Sequence, residues 1–215
     1  MKIKYLAHAS FLITSDKGTR IITDPYTPGG PLSYGKIKEA ADIVTQSHDH
    51  FDHNDVAAVQ GNPELINQSG TTQAKGIKFT GIPTAHDESD GKERGNNIIF
   101  CFEVDGIKLC HLGDLGHQLS TQQKTQLGNI DILFIPVGGA FTIDAKGATK
   151  LTSQLAPKII IPMHFKTDKC ELPLARVDEF LQGKTDVTRL EVSEAEFKAG
   201  VLPASAQIVV LTPAL

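Results

Sequence analysis

The chain has 215 residues, 40% of them hydrophobic and 21% charged, with a formal net charge of −4. That length suits a single domain over residues 1–215 with one substantial core, and the charge offers no basic face for nucleic acid. Cys101, Cys110 and Cys170 are too few and odd in number for a disulfide framework, no apolar run approaches the ~18 residues of a membrane span, and Met1-Lys2-Ile3-Lys4-Tyr5 is unlike a signal peptide, so a cytoplasmic, soluble protein is expected.

In chain order, Lys2–Leu6, Ser10–Thr14 and Thr19–Thr23 read as strands, with Ser15-Asp16-Lys17-Gly18 as a hairpin turn. Tyr26–Tyr34 is a loop, Gly35–Ala41 a short helix, and Asp42–Gln46 a β-branched strand. Asn54 is placed to cap a helix over Asp55–Gln60, with Gly61 as its stop. Leu65–Gln68, Ile77–Ile82, Asn97–Val104 and Ile107–His111 follow as strands, the last two joined by the turn Asp105-Gly106. Cys101 and Cys110 lie in these apolar runs and read as buried thiols. Ser120–Leu127, Ala145–Leu155 and Leu174–Leu181 have helical spacing, separated by the strands Ile130–Ile135 and Lys158–Ile161; Ile208–Leu211 closes the chain. Phe11–Asp24 and Ile98–Asp114 share an order of strand, turn, strand and aspartate. Two such halves would stack two sheets face to face with helices outside.

Straight after the strand Asp42–Gln46 comes Ser47-His48-Asp49-His50-Phe51-Asp52-His53. In extended backbone, residues i and i+2 point the same way, so His48 and His50 can converge on one ion. Asp52 and His53, on the turn beyond, are aimed toward a second. Two cations held by neutral imidazoles need anionic ligands to offset their repulsion, which Asp52 and one further carboxylate would supply. His86, Asp114 and His164 are each the first chemically active residue beyond a β-run, and such exits can meet at one rim. Gly113 removes bulk beside Asp114. Two such ions would activate a water for attack on an electrophilic centre, with Asp52 orienting it or moving a proton. His8, His117 and Lys166 read as substrate contacts, and Asp24 as an acceptor fixing a ligand imidazole. The acidic stretch Asp87, Glu88, Asp90 and Glu93 reads as a mobile, solvated loop.

This pattern resembles the metallo-β-lactamase-fold superfamily, through His48, His50, Asp52, His53, His86, Asp114 and His164 in order. The resemblance implies an α/β fold, an αββα four-layer sandwich with a dinuclear site at one edge of its sheets. It further implies that His48, His50 and His86 hold one metal, that Asp52, His53 and His164 hold the other, and that Asp114 bridges. An aspartate at that place is similar to the lactonase, glyoxalase II and nuclease branches. Leu6-Ala7-His8-Ala9-Ser10-Phe11, Ile22-Thr23-Asp24-Pro25, Arg94-Gly95-Asn96-Asn97 and His111-Leu112-Gly113-Asp114-Leu115-Gly116-His117 resemble the branch around ascorbate-6-phosphate lactonase. The implied activity is hydrolysis of a small-molecule ester, lactone or phosphodiester with two divalent ions: zinc first, manganese and iron also accepted by such ligands. The alternative is an iron-dependent, persulfide-dioxygenase-like oxidoreductase on the same fold.

Overall fold

Alternation of apolar residues in the first hairpin decides where its faces point. The computed structural model describes all residues, 1–215. It places β1 (Lys2–Ala7), β2 (Ser10–Thr14), β3 (Arg20–Thr23), β4 (Ala40–Thr45) and β5 (Gln60–Ile66) in one sheet. Ile3, Tyr5, Phe11, Ile13, Ile21 and Ile43 look inward into the large core. Their neighbours Leu6, Ile22 and Val44 look outward into a smaller cluster with Tyr26, Leu32, Tyr34 and Leu174. A strand buried on both faces in this way loses the polar–apolar alternation of a surface strand.

The second sheet takes β6 (Gly70–Ala74), β7 (Ile77–Ala85), β8 (Asn96–Val104) and β9 (Ile107–His111), which run antiparallel in sequence. Helix α1 (Thr121–Leu127) then leads to β10 (Ile132–Pro136), and α2 (Ala145–Leu155) to β11 (Ile159–Met163). After α3 (Val177–Leu181), β12 (Val187–Arg189) and β14 (Gln207–Val210) complete this sheet, while β13 (Glu194–Glu196) crosses to the first. The strand orders are β13-β1-β2-β3-β4-β5 and β12-β14-β11-β10-β9-β8-β7-β6. β9, β10 and β11 are parallel, as are β3 and β4, so their C-terminal ends open onto shared edges. Ser120 caps α1 in a reciprocal capping box with Gln123, and Asp144 caps α2 through Gly147 N–H.

The molecule is thus an α/β sandwich with two sheets facing across one core. Leu127, Leu151 and Phe180 of the helices join that core. Over the first sheet the outer layer is loop, not helix. Gly35–Ala41, expected as a helix, runs without helical bonds into β4. Of the expected helix Asp55–Gln60 only a 3₁₀ turn, Val56–Ala58, forms. Asn54 does not cap it, because its side chain donates to Asp49 Oδ1 at 2.8 Å instead. Gly61 lies inside β5, and the expected helix Leu174–Leu181 shortens to α3. Cys110 is buried as expected, but Cys101 is only half-buried; the two thiols face each other across β8 and β9 at 3.3 Å.

Candidate metal centre

Each predicted ligand leaves the C-terminal end of a strand. β4 feeds His48–His53, β7 feeds His86, β9 feeds Asp114 and β11 feeds His164. The structure brings all seven together. Donor atoms of His48, His50 and His86 lie within 4.8 Å of one another, and so do those of His8, Asp52, His53 and His164. Asp114 stands between the groups, clustering with His48 and His53. Its Oδ2 is 3.2 Å from His86 Nε2 and 3.2 Å from His164 Nε2, while Oδ1 is 3.2 Å from His53 Nε2. His50 is exposed and His48 half-buried as a whole residue, though its side chain is covered; the others are buried.

In His48, His53 and His86 the ring nitrogen that does not face the centre is held from behind. His53 Nδ1–H donates to Asp24 Oδ2 at 2.9 Å. His48 Nδ1–H donates to Ser47 Oγ at 2.9 Å, and the Ser47 hydroxyl in turn donates to Asp24 Oδ2 at 2.6 Å. Asp24 Oδ1 also accepts Ser47 N–H. His86 Nδ1–H donates to the Phe141 carbonyl at 3.1 Å. Such partners fix the tautomer so that the other nitrogen presents a lone pair. Asp114 is fixed through its main chain, whose N–H donates to Asn97 Oδ1, while Asn97 Nδ2 donates to Thr84 Oγ1 and the Leu112 carbonyl. Gly113, at φ 55, lets these groups approach: a Cβ there would run into Asn97 Oδ1 and Ser47. His111 donates through Nε2 to the Ala9 carbonyl and accepts Gly113 N–H, so it braces the same turn.

The donor set fits metal ions on an independent count. His48 Nε2, His53 Nε2, Asp114 Oδ1 and both nitrogens of His164 are buried without a hydrogen-bond partner. Orphans of this kind each cost about 1–3 kcal/mol unless something else satisfies them. Charge separates the rings. Burial, with His53 beside it, holds His48 down at about 3, hence neutral and able to ligate at pH 7. His164 is opposed by burial but lifted by Asp114 and Asp52 to about 9, and His53 is raised well above 6.5 against the same burial, by Asp114 and Asp52. The carboxylates that would neutralise cations therefore hold protons in their place.

The expected substrate contacts are differently employed. His8 is fully buried, with Nε2 3.1 Å from Asp52 Oδ2, and lines no open mouth. Burial and the neighbouring His164 press it to about 4, so it is neutral. His117 accepts Ala85 N–H through Nε2 and donates from Nδ1 to the Gln118 carbonyl, which pins the end of β7 just before His86. Lys166 Nζ donates to the Leu172 carbonyl at 2.9 Å. The stretch expected to be a mobile loop is organised around Asp87, whose carboxylate accepts N–H groups of Ser89, Gly91, Glu93 and Arg94. Against burial, those donors hold its pKa down to about 2. Sequence reading assigned no role to Ser47, Asn97 or the Phe141 carbonyl. Asn97 begins a strand, where a buried amide is unexpected, and that alone could have flagged it.

Known proteins resemble this chain in sequence and fold. A family model described as the beta-lactamase superfamily domain matches residues 2–164. A UPF0173 metal-dependent hydrolase of Thermococcus onnurineus is 33% identical, over 78% of this chain and 85% of that protein. A solved structure from Thermotoga maritima, of the metallo-beta-lactamase superfamily, is 37% identical with a TM-score of 0.80, over 98% of this chain and 97% of that one. A metallo hydrolase from Ignicoccus hospitalis shares the fold at 23% identity, with a TM-score of 0.65 over 92% and 99% of the two chains.

Proposed function

Because the chain belongs to the beta-lactamase superfamily, we propose that it is a metal-dependent hydrolase that holds two divalent ions and cleaves a small-molecule ester, lactone or phosphodiester. The observation that carries this reading is the pair of donor groups, one of three residues and one of four with His8, joined by Asp114. His48, His50 and His86 would take one ion, Asp52, His53 and His164 the other, with Asp114 between them. Imidazole with carboxylate suits zinc first, and manganese or iron as well. Such ions, when bound, activate water near neutral pH and polarise the substrate oxygen.

The protein's own groups do the rest. Asp114 and Asp52 bring anionic charge to a set of imidazoles that are neutral only once they ligate. Asp52 Oδ2, near His53 and His164, is placed to orient the attacking water or take its proton, as a general base must. Access is from the side of His50. A cavity of about 660 Å³ there is lined by Gln46, His48, His50, Asn67, Arg94 and Asn96. Arg94 is its one side chain with a permanent positive charge, and its guanidinium lies over the Phe141 ring at 5.7 Å. The lining also includes the carboxylate of Asp49, yet a guanidinium beside a site that would hold two cations favours substrates carrying phosphate or carboxylate.

The test combines metal analysis with one variant. Two equivalents of zinc or manganese per chain are expected. Asp52→Ala should remain folded by circular dichroism and lose roughly 10²–10⁴-fold in turnover of a lactone and phosphodiester panel. Full turnover in that variant, or stoichiometric iron with oxygen-dependent turnover, would refute the reading.

A further inference from the structure

His8 occupies a position that disfavours it twice. It lies in the tight turn between β1 and β2, beside a register shift between Tyr5 and Ala7, with φ 57. That left-handed backbone costs an L-residue other than glycine about 1–2 kcal/mol. Its ring is fully buried, and Nδ1 finds no partner there, an orphan that costs about 1–3 kcal/mol more. Local structure therefore does not explain a histidine at this place.

What the ring reaches does explain it. Nε2–H donates to Asp52 Oδ2 at 3.1 Å, and this is the only hydrogen bond that the Asp52 carboxylate makes; His53 and His164 stand at 3.7 Å and 3.9 Å. The ring packs on His164 with centroids 4.1 Å apart. Its main chain acts on the same group of ligands: the His8 carbonyl accepts His164 N–H at 2.9 Å and the Tyr5 hydroxyl at 2.9 Å. His164 is itself left-handed, at φ 52, so its ring direction depends on that tether. His48 has Ser47, His53 has Asp24, His86 has the Phe141 carbonyl and Asp114 has Asn97. His8 supplies the corresponding support for Asp52 and His164.

We infer that His8 is a positioning residue for the second ion, its Nε2–H setting the Asp52 carboxylate and its carbonyl setting His164. The inference rests on the reading that Asp52, His53 and His164 hold one ion together. It separates the two ions, since nothing in His8 touches His48, His50 or His86.

Titration of Zn²⁺ into the metal-free full chain against a competing chelator tests it. Wild type should bind two equivalents. In His8→Gly the left-handed backbone is unstrained and the carbonyl is kept, but the ring is gone. The first equivalent should bind as in wild type and the second roughly 10–100-fold more weakly, the usual loss for an outer-shell partner of a metal ligand. His8→Gln restores a donor at comparable reach and should recover most of that loss, which a merely space-filling ring would not predict. Two equivalents bound by His8→Gly with wild-type affinity would overturn the inference. So would a glutamine variant as weak as the glycine one, for then the N–H is not the cause. Fewer than two equivalents bound by wild type would overturn the two-ion reading itself, and this inference with it.

Discussion

The two sheets serve the metal centre in opposite ways. The first gives a single loop, His48–His53, with four of the proposed ligands in six residues, steadied through Ser47 and His53 by the one carboxylate of Asp24. The second gives His86, Asp114 and His164 from three separate strand ends, each with its own clamp. A loop that concentrates ligands is exposed to one point of failure, whereas dispersed ligands fail one at a time.

The strongest way to break that contrast is Asp24→Ala. It removes the acceptor of Ser47 N–H, Ser47 Oγ–H and His53 Nδ1–H at a fully buried site. A loss of about 3–5 kcal/mol is expected, as for a buried charged network deprived of one partner. Urea denaturation would show it, and metal analysis should find both ions gone. Asn97→Ala is the counterpart in the second sheet. It frees only the Asp114 N–H, the Leu112 carbonyl and Thr84 Oγ1. It should cost about 1–3 kcal/mol, and leave His48 and His50 able to hold their ion in the same metal analysis. If Asn97→Ala matched Asp24→Ala in both measures, the contrast would fail.

The smallest effect is one of pH. His48 is already neutral, and burial lowers His50 too, so their ion meets little proton competition. His164, raised to about 9, must release a proton to ligate. Affinity for the second ion should therefore fall about tenfold per pH unit, per proton displaced, as pH drops below that value. In the metal-free protein the sign reverses. A histidine raised from 6.5 stabilises the fold fully below 6.5, and that contribution fades as pH rises through about 9. Zn²⁺ titrations and thermal melts across pH 6–9.5 check both. Equal pH slopes for the two ions would remove the electrostatic distinction.

The same division explains what sequence could reveal. The loop's proposed ligands sit beside one another, so spacing alone singles them out. His86, Asp114 and His164 stand out because each follows an apolar run of a central strand, and the structure brings them beside the loop. The strands that escaped or were misplaced are β5, β6, β12 and β13, and each is the edge of a sheet. An edge needs ladder bonds on one side only and tolerates residues such as Gly61, Asn62 and Pro63 in β5. The supports of the site escaped for another reason. Asn97 to Asp114, Phe141 to His86 and His8 to Asp52 join residues far apart in the chain, and local pattern carries no trace of such pairings.

One consequence follows from the loop layer over the first sheet. Its own backbone bonds are a few bridges, between Gly29 and Leu32 and from Ser33 and Glu171 to Lys169 and Pro31, not a continuous helix or ladder, so it opens more readily than the sheets. It is nevertheless tied to the ligand loop, through Thr27 N–H to the Phe51 carbonyl and Asp55 N–H to the Pro25 carbonyl. Opening the layer therefore disturbs the residues that carry His50, Asp52 and His53. By linkage, any ion those residues hold raises the free energy of that opening. A bound metal would thus stiffen this layer, and hydrogen exchange in residues 25–37 becomes a gauge of occupancy at a distance from the site.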